Sequence, residues 1–139
     1  MQVRMDLTRI IIRESADSQV IVLHERDGSR QFPILIGLSE AIAIDRRIKG
    51  FESPRPLTHD LMTRLIESLE GELERIVISD LREHTFYATL YIRRNGELIP
   101  VDSRPSDAIA LGVARNTPIY VEEKVLHAVC LPEDFETDG

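Results

Sequence analysis

The stretch that decides the fold is Thr85-Phe86-Tyr87-Ala88-Thr89-Leu90-Tyr91-Ile92-Arg93-Arg94-Asn95-Gly96-Glu97-Leu98-Ile99-Pro100-Val101-Asp102. Its first half alternates. Phe86, Ala88, Leu90 and Ile92 share one side of an extended chain, and Thr85, Tyr87, Thr89 and Tyr91 share the other. Asn95-Gly96 supplies the two positive-φ residues that a tight turn between antiparallel strands requires. Counting back from that turn sets Ile92 opposite Ile99 and Leu90 opposite Val101, an apolar face. Pro100 has no amide proton for a ladder, which places the second strand at an edge or a bulge.

Working upstream, Glu74 to Leu81 reads as a third strand of the same unit. With Glu83-His84 as a two-residue turn, Asp80 falls opposite Tyr87, while Asp102 falls opposite Thr89. Both carboxylates then flank the middle strand on its polar face. Their strands lie about 9.6 Å apart, too far to hold one ion directly. Val3 to Arg13 is a strand whose alternation breaks at Ile10-Ile11-Ile12, the mark of a bulge or of burial on both faces. Gln19 to Arg26 and Arg30 to Ile36 form a hairpin closed at Asp27-Gly28, where glycine tolerates positive φ. In that register Leu23 faces Phe32 and Ile21 faces Ile34.

Three helices fill the gaps. Ser39 is the expected N-cap of the first, which runs to about Lys49 with Ala41, Ile44 and Ile48 as its buried stripe and Gly50 closing it. A stiff loop from Phe51 to Pro56 follows. Thr58 caps the second helix, Leu57 and Met62 staple its start, and Leu61, Met62, Leu65, Ile66 and Leu69 recur at helical spacing up to Gly71. Pro105 opens the third, with Ala108, Ile109, Leu111 and Val113 apolar. Pro118 to Glu122 is a short strand and Val125 to Cys130 a short final helix. The expectation is a single α+β domain over 1–131, with a mixed, largely antiparallel sheet of hairpins and three main helices packed on it. An acidic, frayed tail covers 132–139.

The totals agree with a globular domain: 139 residues, 42% hydrophobic, 29% charged. One cysteine, Cys130, excludes an internal disulfide framework and a multi-cysteine zinc site, and makes a reducing, cytoplasmic setting the natural expectation. No apolar run reaches the roughly 18 residues of a membrane span, and Met1 to Asp6 does not read as a signal peptide. The formal charge of −7 counts against a tight grip on nucleic acid, whose binders usually carry a basic surplus.

No phosphate-binding glycine loop, zinc-ligand spacing or nucleophile elbow occurs. The polar residues that remain sit at element boundaries. In Thr58-His59-Asp60, capping and the helix dipole account for Thr58 and Asp60, leaving His59 as a candidate ligand or base. In Arg104-Pro105-Ser106-Asp107, Asp107 falls at the third helical position, where a carboxylate reaches back to a free N–H. Arg104 sits where free N–H groups suit an anion, and either holds a phosphate or pairs with Asp102 or Asp107. For each residue a structural role is the plainer reading.

Three stretches taken together resemble the bifunctional nuclease (DNase/RNase) domain family. They are Phe32-Pro33-Ile34-Leu35-Ile36-Gly37 leading into Glu40-Ala41, then Pro54-Arg55-Pro56-Leu57-Thr58-His59-Asp60-Leu61, then Val101-Asp102-Ser103-Arg104-Pro105-Ser106-Asp107-Ala108-Ile109-Ala110-Leu111. Asp80-Leu81-Arg82 and Thr85-Phe86-Tyr87-Ala88 lie between them in matching order. Glu83-His84 stands where the family pattern has a small or polar residue and glycine, and Ser103 and Gly112 replace usual alanines.

The resemblance implies an α+β domain that associates as a homo-oligomer, a dimer in the first instance. It also implies metal-assisted hydrolysis of phosphodiesters in DNA and RNA. On that reading His59, Asp60, Asp80 and Asp107 are the catalytic candidates, and Asp60, Asp80 and Asp107 the ligands of a Mg2+ or Mn2+ ion. Arg104 and Ser106 would bind substrate. The rival expectation is a non-catalytic oligomerising or regulatory module in which the same residues are helix caps and ion pairs.

Overall fold

A computed structural model describes residues 1–130. In chain order the elements are β1 (Gln2–Ile11), β2 (Gln19–Glu25), β3 (Gln31–Ile36), α1 (Leu38–Lys49), α2 (Thr58–Ser68), β4 (Glu72–Arg82), β5 (Thr85–Arg94), β6 (Glu97–Ser103), α3 (Pro105–Val113), β7 (Ile119–Glu122) and α4 (Glu123–Val129). The strands make one seven-stranded sheet in the order β3-β2-β1-β7-β4-β5-β6, an α+β arrangement. Only the β4–β7 pairing is parallel among the described pairs. The short last strand joins two antiparallel meanders by slotting between β1 and β4. The proposed tail, 132–139, lies outside the described residues.

The expected registers are the observed ones. Leu23 pairs with Phe32 and Ile21 with Ile34. Asp80 pairs with Tyr87 across the Glu83-His84 turn. Ile92 pairs with Ile99, Leu90 with Val101 and Thr89 with Asp102. Glu83 and His84 adopt φ of 49° and 66°, so this turn takes the left-handed form without glycine. β1 is irregular between Leu7 and Arg9, close to the broken alternation. Each edge strand of the sheet, β3 and β6, carries a proline, Pro33 and Pro100. A missing N–H blunts an edge against pairing with another chain.

Helix ends depart from expectation. Gly37, not Ser39, is the N-cap of α1, and Leu57, not Thr58, that of α2; neither cap makes a side-chain bond. At Gly37 the space a Cβ would need holds the Glu40 carboxylate, 2.1 Å from the ideal position, so glycine there lets Glu40 fold back over the helix start. Asp60 reaches back 3.1 Å to the Leu57 N–H. Gly50 closes α1 at φ 72°, whereas α2 is ended by Glu70 at φ 63° rather than by Gly71. Gly28 is likewise not at positive φ among the described glycines; it makes room for the Glu25 carboxylate, which lies 2.7 Å from its ideal Cβ.

One core holds the sheet and the helices together. It joins Met5, Ile21, Leu23, Phe32 and Ile34 of the first meander to Ile76, Ile78, Ala88 and Leu90 of the second, under Ala41, Ile44, Ile109 and Leu126 of the helices. Ile48 is not part of the buried stripe; it is 50% exposed. On the opposite face of the sheet Val77 is buried outside this core. Around it Arg75 lies over the Tyr91 ring at 4.3 Å and Arg82 over Tyr87 at 4.4 Å. The sheet curls strongly enough to bring Phe32 of β3 within 5.6 Å of Phe86 of β5, ring to ring. That curl creates a groove between the β3 edge and the β4–β5 hairpin.

Candidate functional site

Helices α1, α2 and α3 meet in a network of charge built from the two suspected motifs. His59, in the first turn of α2, places Nε2 3.0 Å from Asp107 Oδ1 in the first turn of α3. Arg104 donates to the same carboxylate through Nε, 2.8 Å from Oδ2, and through a terminal nitrogen, 3.1 Å from Oδ1. Asp107 therefore does not cap its own helix as expected. Burial raises its carboxyl pKa, but the bonds from Arg104 and His59 outweigh this and hold it below its ordinary value. The Arg104 guanidinium is pushed up by the same hydrogen bond and by the Asp107 charge. Its other neighbour is Glu40, 3.8 Å away.

Asp60 belongs to a second, adjoining set. One of its oxygens takes a short bond from Arg47 of α1 and the other accepts the Leu57 N–H. The Arg47 side chain is only 10% exposed. It also donates to the Ala110 carbonyl, to Thr63 Oγ at 3.1 Å and to the Leu111 carbonyl at 3.4 Å, so a single guanidinium pins α1 to α2 and α3. Thr63 in turn bonds the His59 carbonyl at 3.1 Å.

Asp80 keeps different company. It accepts from the Leu81 N–H at 2.9 Å and sits 3.0 Å from Arg82 and 3.7 Å from Lys124. The backbone bond leads the downward shift of its pKa. Among the described residues it has no hydrogen bond or ion pair with the His59–Asp107–Arg104 cluster. No three His, Cys, Asp or Glu side chains among the described residues gather where a metal ion would bind. Asp60, Asp80 and Asp107 are each already held by a cation and other donors. The donor set of one chain therefore does not fit a resident Mg2+ or Mn2+ bound by these three acids.

The groove formed by the curl has a volume of about 720 Å³ and takes its walls from both motif regions. Arg104, Pro105 and Ser106 line one side at the N-terminus of α3, with Glu40 of α1 beside them. Ser106 is 5% exposed and lines the groove beside Arg104. His84, from the left-handed turn, stands on the groove as well. Of the expected site residues, then, Arg104 and Ser106 face this cavity directly, and Asp107 and His59 stand behind Arg104. Asp60 opens instead on a separate depression of about 410 Å³ with Arg47, Arg64 and Arg115. Glu40 was not singled out by its residue type. Its signals were its place three residues after Gly37 at a helix start and its position in the first stretch that resembles the family.

A family model described as the bifunctional nuclease domain matches residues 21–134, a span that includes every one of these residues. The chain belongs to the bifunctional nuclease domain family. An uncharacterized protein of Mycobacterium tuberculosis (strain CDC 1551 / Oshkosh) is 47% identical over 129 residues, covering 93% of this chain and 77% of that protein. Bifunctional nuclease 1 of Oryza sativa subsp. indica is 27% identical over 120 residues, 84% of this chain but 36% of its own length. Bifunctional nuclease 2 of Arabidopsis thaliana is 22% identical over 117 residues, again 36% of its length. The domain described above is thus about a third of each plant protein. No described helix is long and apolar enough to cross a membrane.

Proposed function

We propose that this domain cleaves phosphodiester bonds in DNA and RNA, with the scissile phosphate docked at the N-terminus of α3. The observation that carries the reading is Arg104. Asp107 anchors its guanidinium on the groove wall next to Ser106 and the first turn of α3. A guanidinium, a hydroxyl and a helix N-terminus facing one cavity form a donor set for an anion. Glu40 offers a carboxylate in the same wall for the proton of an attacking water. His59 acts through Asp107, as a positioning residue. Mg2+ commonly binds through one or two carboxylates together with substrate phosphates, so a cation arriving with the substrate is the form of metal assistance this site favours.

The net charge of −7 goes with weak, salt-sensitive binding. The test is cleavage of labelled single- and double-stranded DNA and RNA in Mg2+, Mn2+ or EDTA, with Arg104→Gln and Glu40→Gln. Loss of a donor to a transition-state oxyanion typically costs ~10²–10³ in rate, so Arg104→Gln should cleave at least a hundredfold more slowly. Undiminished cleavage by both variants would remove the groove from the reaction.

The rival reading, a non-catalytic oligomerising module, is favoured at two of the six residues, Asp60 and Asp80, whose contacts are structural. Self-association itself is compatible with either. Leu57, Leu61, Leu65 and Leu69 recur every fourth residue along α2 and are 46%, 49%, 53% and 60% exposed. A stripe of that kind is a candidate contact between two copies of the chain, in the manner of helix pairs.

A further inference from the structure

We infer that the groove seats an unpaired nucleobase beside the docked phosphate, so that the domain selects single-stranded nucleic acid over duplex. The inference deepens the proposed function and rests on it for the phosphate position. The groove has two chemically different halves. One is the polar wall of Arg104, Ser106 and Glu40. The other is apolar, formed by Pro33 and Leu35 of β3, Leu81 and Phe86 of the β4–β5 hairpin, and Val129 of α4. Leu35 stands 68% exposed at the lip and extends this apolar wall outward.

An apolar wall next to one that presents the Arg104 guanidinium, with the Glu40 and Asp17 carboxylates also on the groove, matches a nucleotide whose flat hydrophobic base lies close to a phosphate that an arginine can hold. The volume, about 720 Å³, is of the size that encloses a small organic ligand rather than a helix of duplex. Bases in a duplex are stacked and paired inside the phosphate cylinder. To enter this groove a base must first leave the stack, at a cost that an unpaired strand does not bear. The Phe86 ring packs against Phe32, centroids 5.6 Å apart, which backs that part of the apolar wall. None of these side chains reads sequence, because they offer area and no hydrogen-bond pattern; DNA and RNA strands are accepted alike.

Two measurements on the intact chain test this. The first compares inorganic phosphate, ribose 5-phosphate and adenosine 5′-monophosphate by competition against a labelled single-stranded oligonucleotide. Stacking on an aromatic side chain is worth roughly five- to a hundredfold per base, so the nucleotide should compete at least about fivefold better than ribose 5-phosphate. Equal competition by the two would overturn the base seat while leaving the phosphate site intact. No competition by any of the three would count against the phosphate site itself.

The second compares single strands with duplex of the same sequence for wild type, Leu35→Asn and Arg104→Gln. Leu35 is exposed enough for the exchange to spare the fold, which a thermal melt verifies. Leu35→Asn should weaken single strands several-fold and leave duplex unchanged, whereas Arg104→Gln should weaken both. If wild type binds duplex as tightly as single strands, or if Leu35→Asn changes neither, the inference is wrong.

Discussion

The Arg47–Asp60 clamp separates stability from catalysis. Replacing Arg47 by methionine keeps most of the side-chain length and removes the guanidinium. Four hydrogen bonds to two helices go with it: those to Asp60 and Thr63 of α2, and those to the Ala110 and Leu111 carbonyls of α3. Each partly buried hydrogen bond to a charged group is worth about 1.5–3 kcal/mol, and a carbonyl left unpaired costs about 1–3 kcal/mol. Asp60 keeps the Leu57 N–H and is 36% exposed, so water recovers part of its share. A net loss of about 2–4 kcal/mol follows for Arg47→Met, and about 1–2 kcal/mol for Asp60→Asn.

In a domain of this length each kcal/mol is roughly 3–5 °C in Tm. Urea unfolding of wild type, both single variants and the double variant gives a coupling energy, expected at about 1–3 kcal/mol because the two residues share one bond. The same four proteins assayed for nucleic-acid cleavage well below their melting points should differ little. If Asp60→Asn instead abolishes cleavage with an unchanged urea midpoint, Asp60 is part of the chemistry and the clamp reading fails.

Three further outcomes are expected. Arg30 bridges Glu25 of β2 at 2.6 Å and Glu123 of α4 at 2.6 Å, and lowers both carboxyl pKa values; Arg30→Met should cost about 1–3 kcal/mol by urea unfolding, and a smaller effect on Glu123→Gln would show that Glu25 is the more dependent partner. Asp107 has a depressed folded pKa, so its contribution is complete above the unfolded carboxylate value of 3.8 and is lost as pH falls through the lower folded value. The stability gap between wild type and Asp107→Asn should therefore shrink as pH falls from about 5 toward about 2, and a gap that widened would contradict the Arg104 and His59 bonds. For the leucine stripe, Leu61→Glu with Leu65→Glu should lower the mass measured by light scattering to that of one chain, and an unchanged mass would place any interface elsewhere.

Much of the β architecture could be read before any coordinates because its determinants are local. A period of two tells inside from outside, and Asn95-Gly96 sets the register of everything that follows from it. The same counting carried Asp80 to Tyr87 across Glu83-His84, although that turn bears two non-glycine residues at positive φ. Helix starts were less legible. Ser39 and Thr58 have the side chains of caps, yet the chain begins α1 and α2 one or two residues earlier, at Gly37 and Leu57, because Glu40 and Asp60 at the third helical position satisfy or shield the start from within.

The periodicity of α2 marked Leu61, Leu65 and Leu69 as apolar without saying that they face solvent. An amphipathic pattern specifies a stripe, and packing decides which stripe finds a partner. What the sequence by itself determined is the strand pairing, the three main helices and a short list of acids and bases at their ends. Which members of that list meet was a tertiary decision. Asp107 lies 48 residues from His59, and Arg47 lies 63 and 64 residues from the carbonyls it holds. Nothing in local spacing measures such separations. They close only when the curl of the sheet and the shared core press α1, α2 and α3 together, and that packing puts Arg104 on the groove, Asp107 behind it and Asp80 elsewhere.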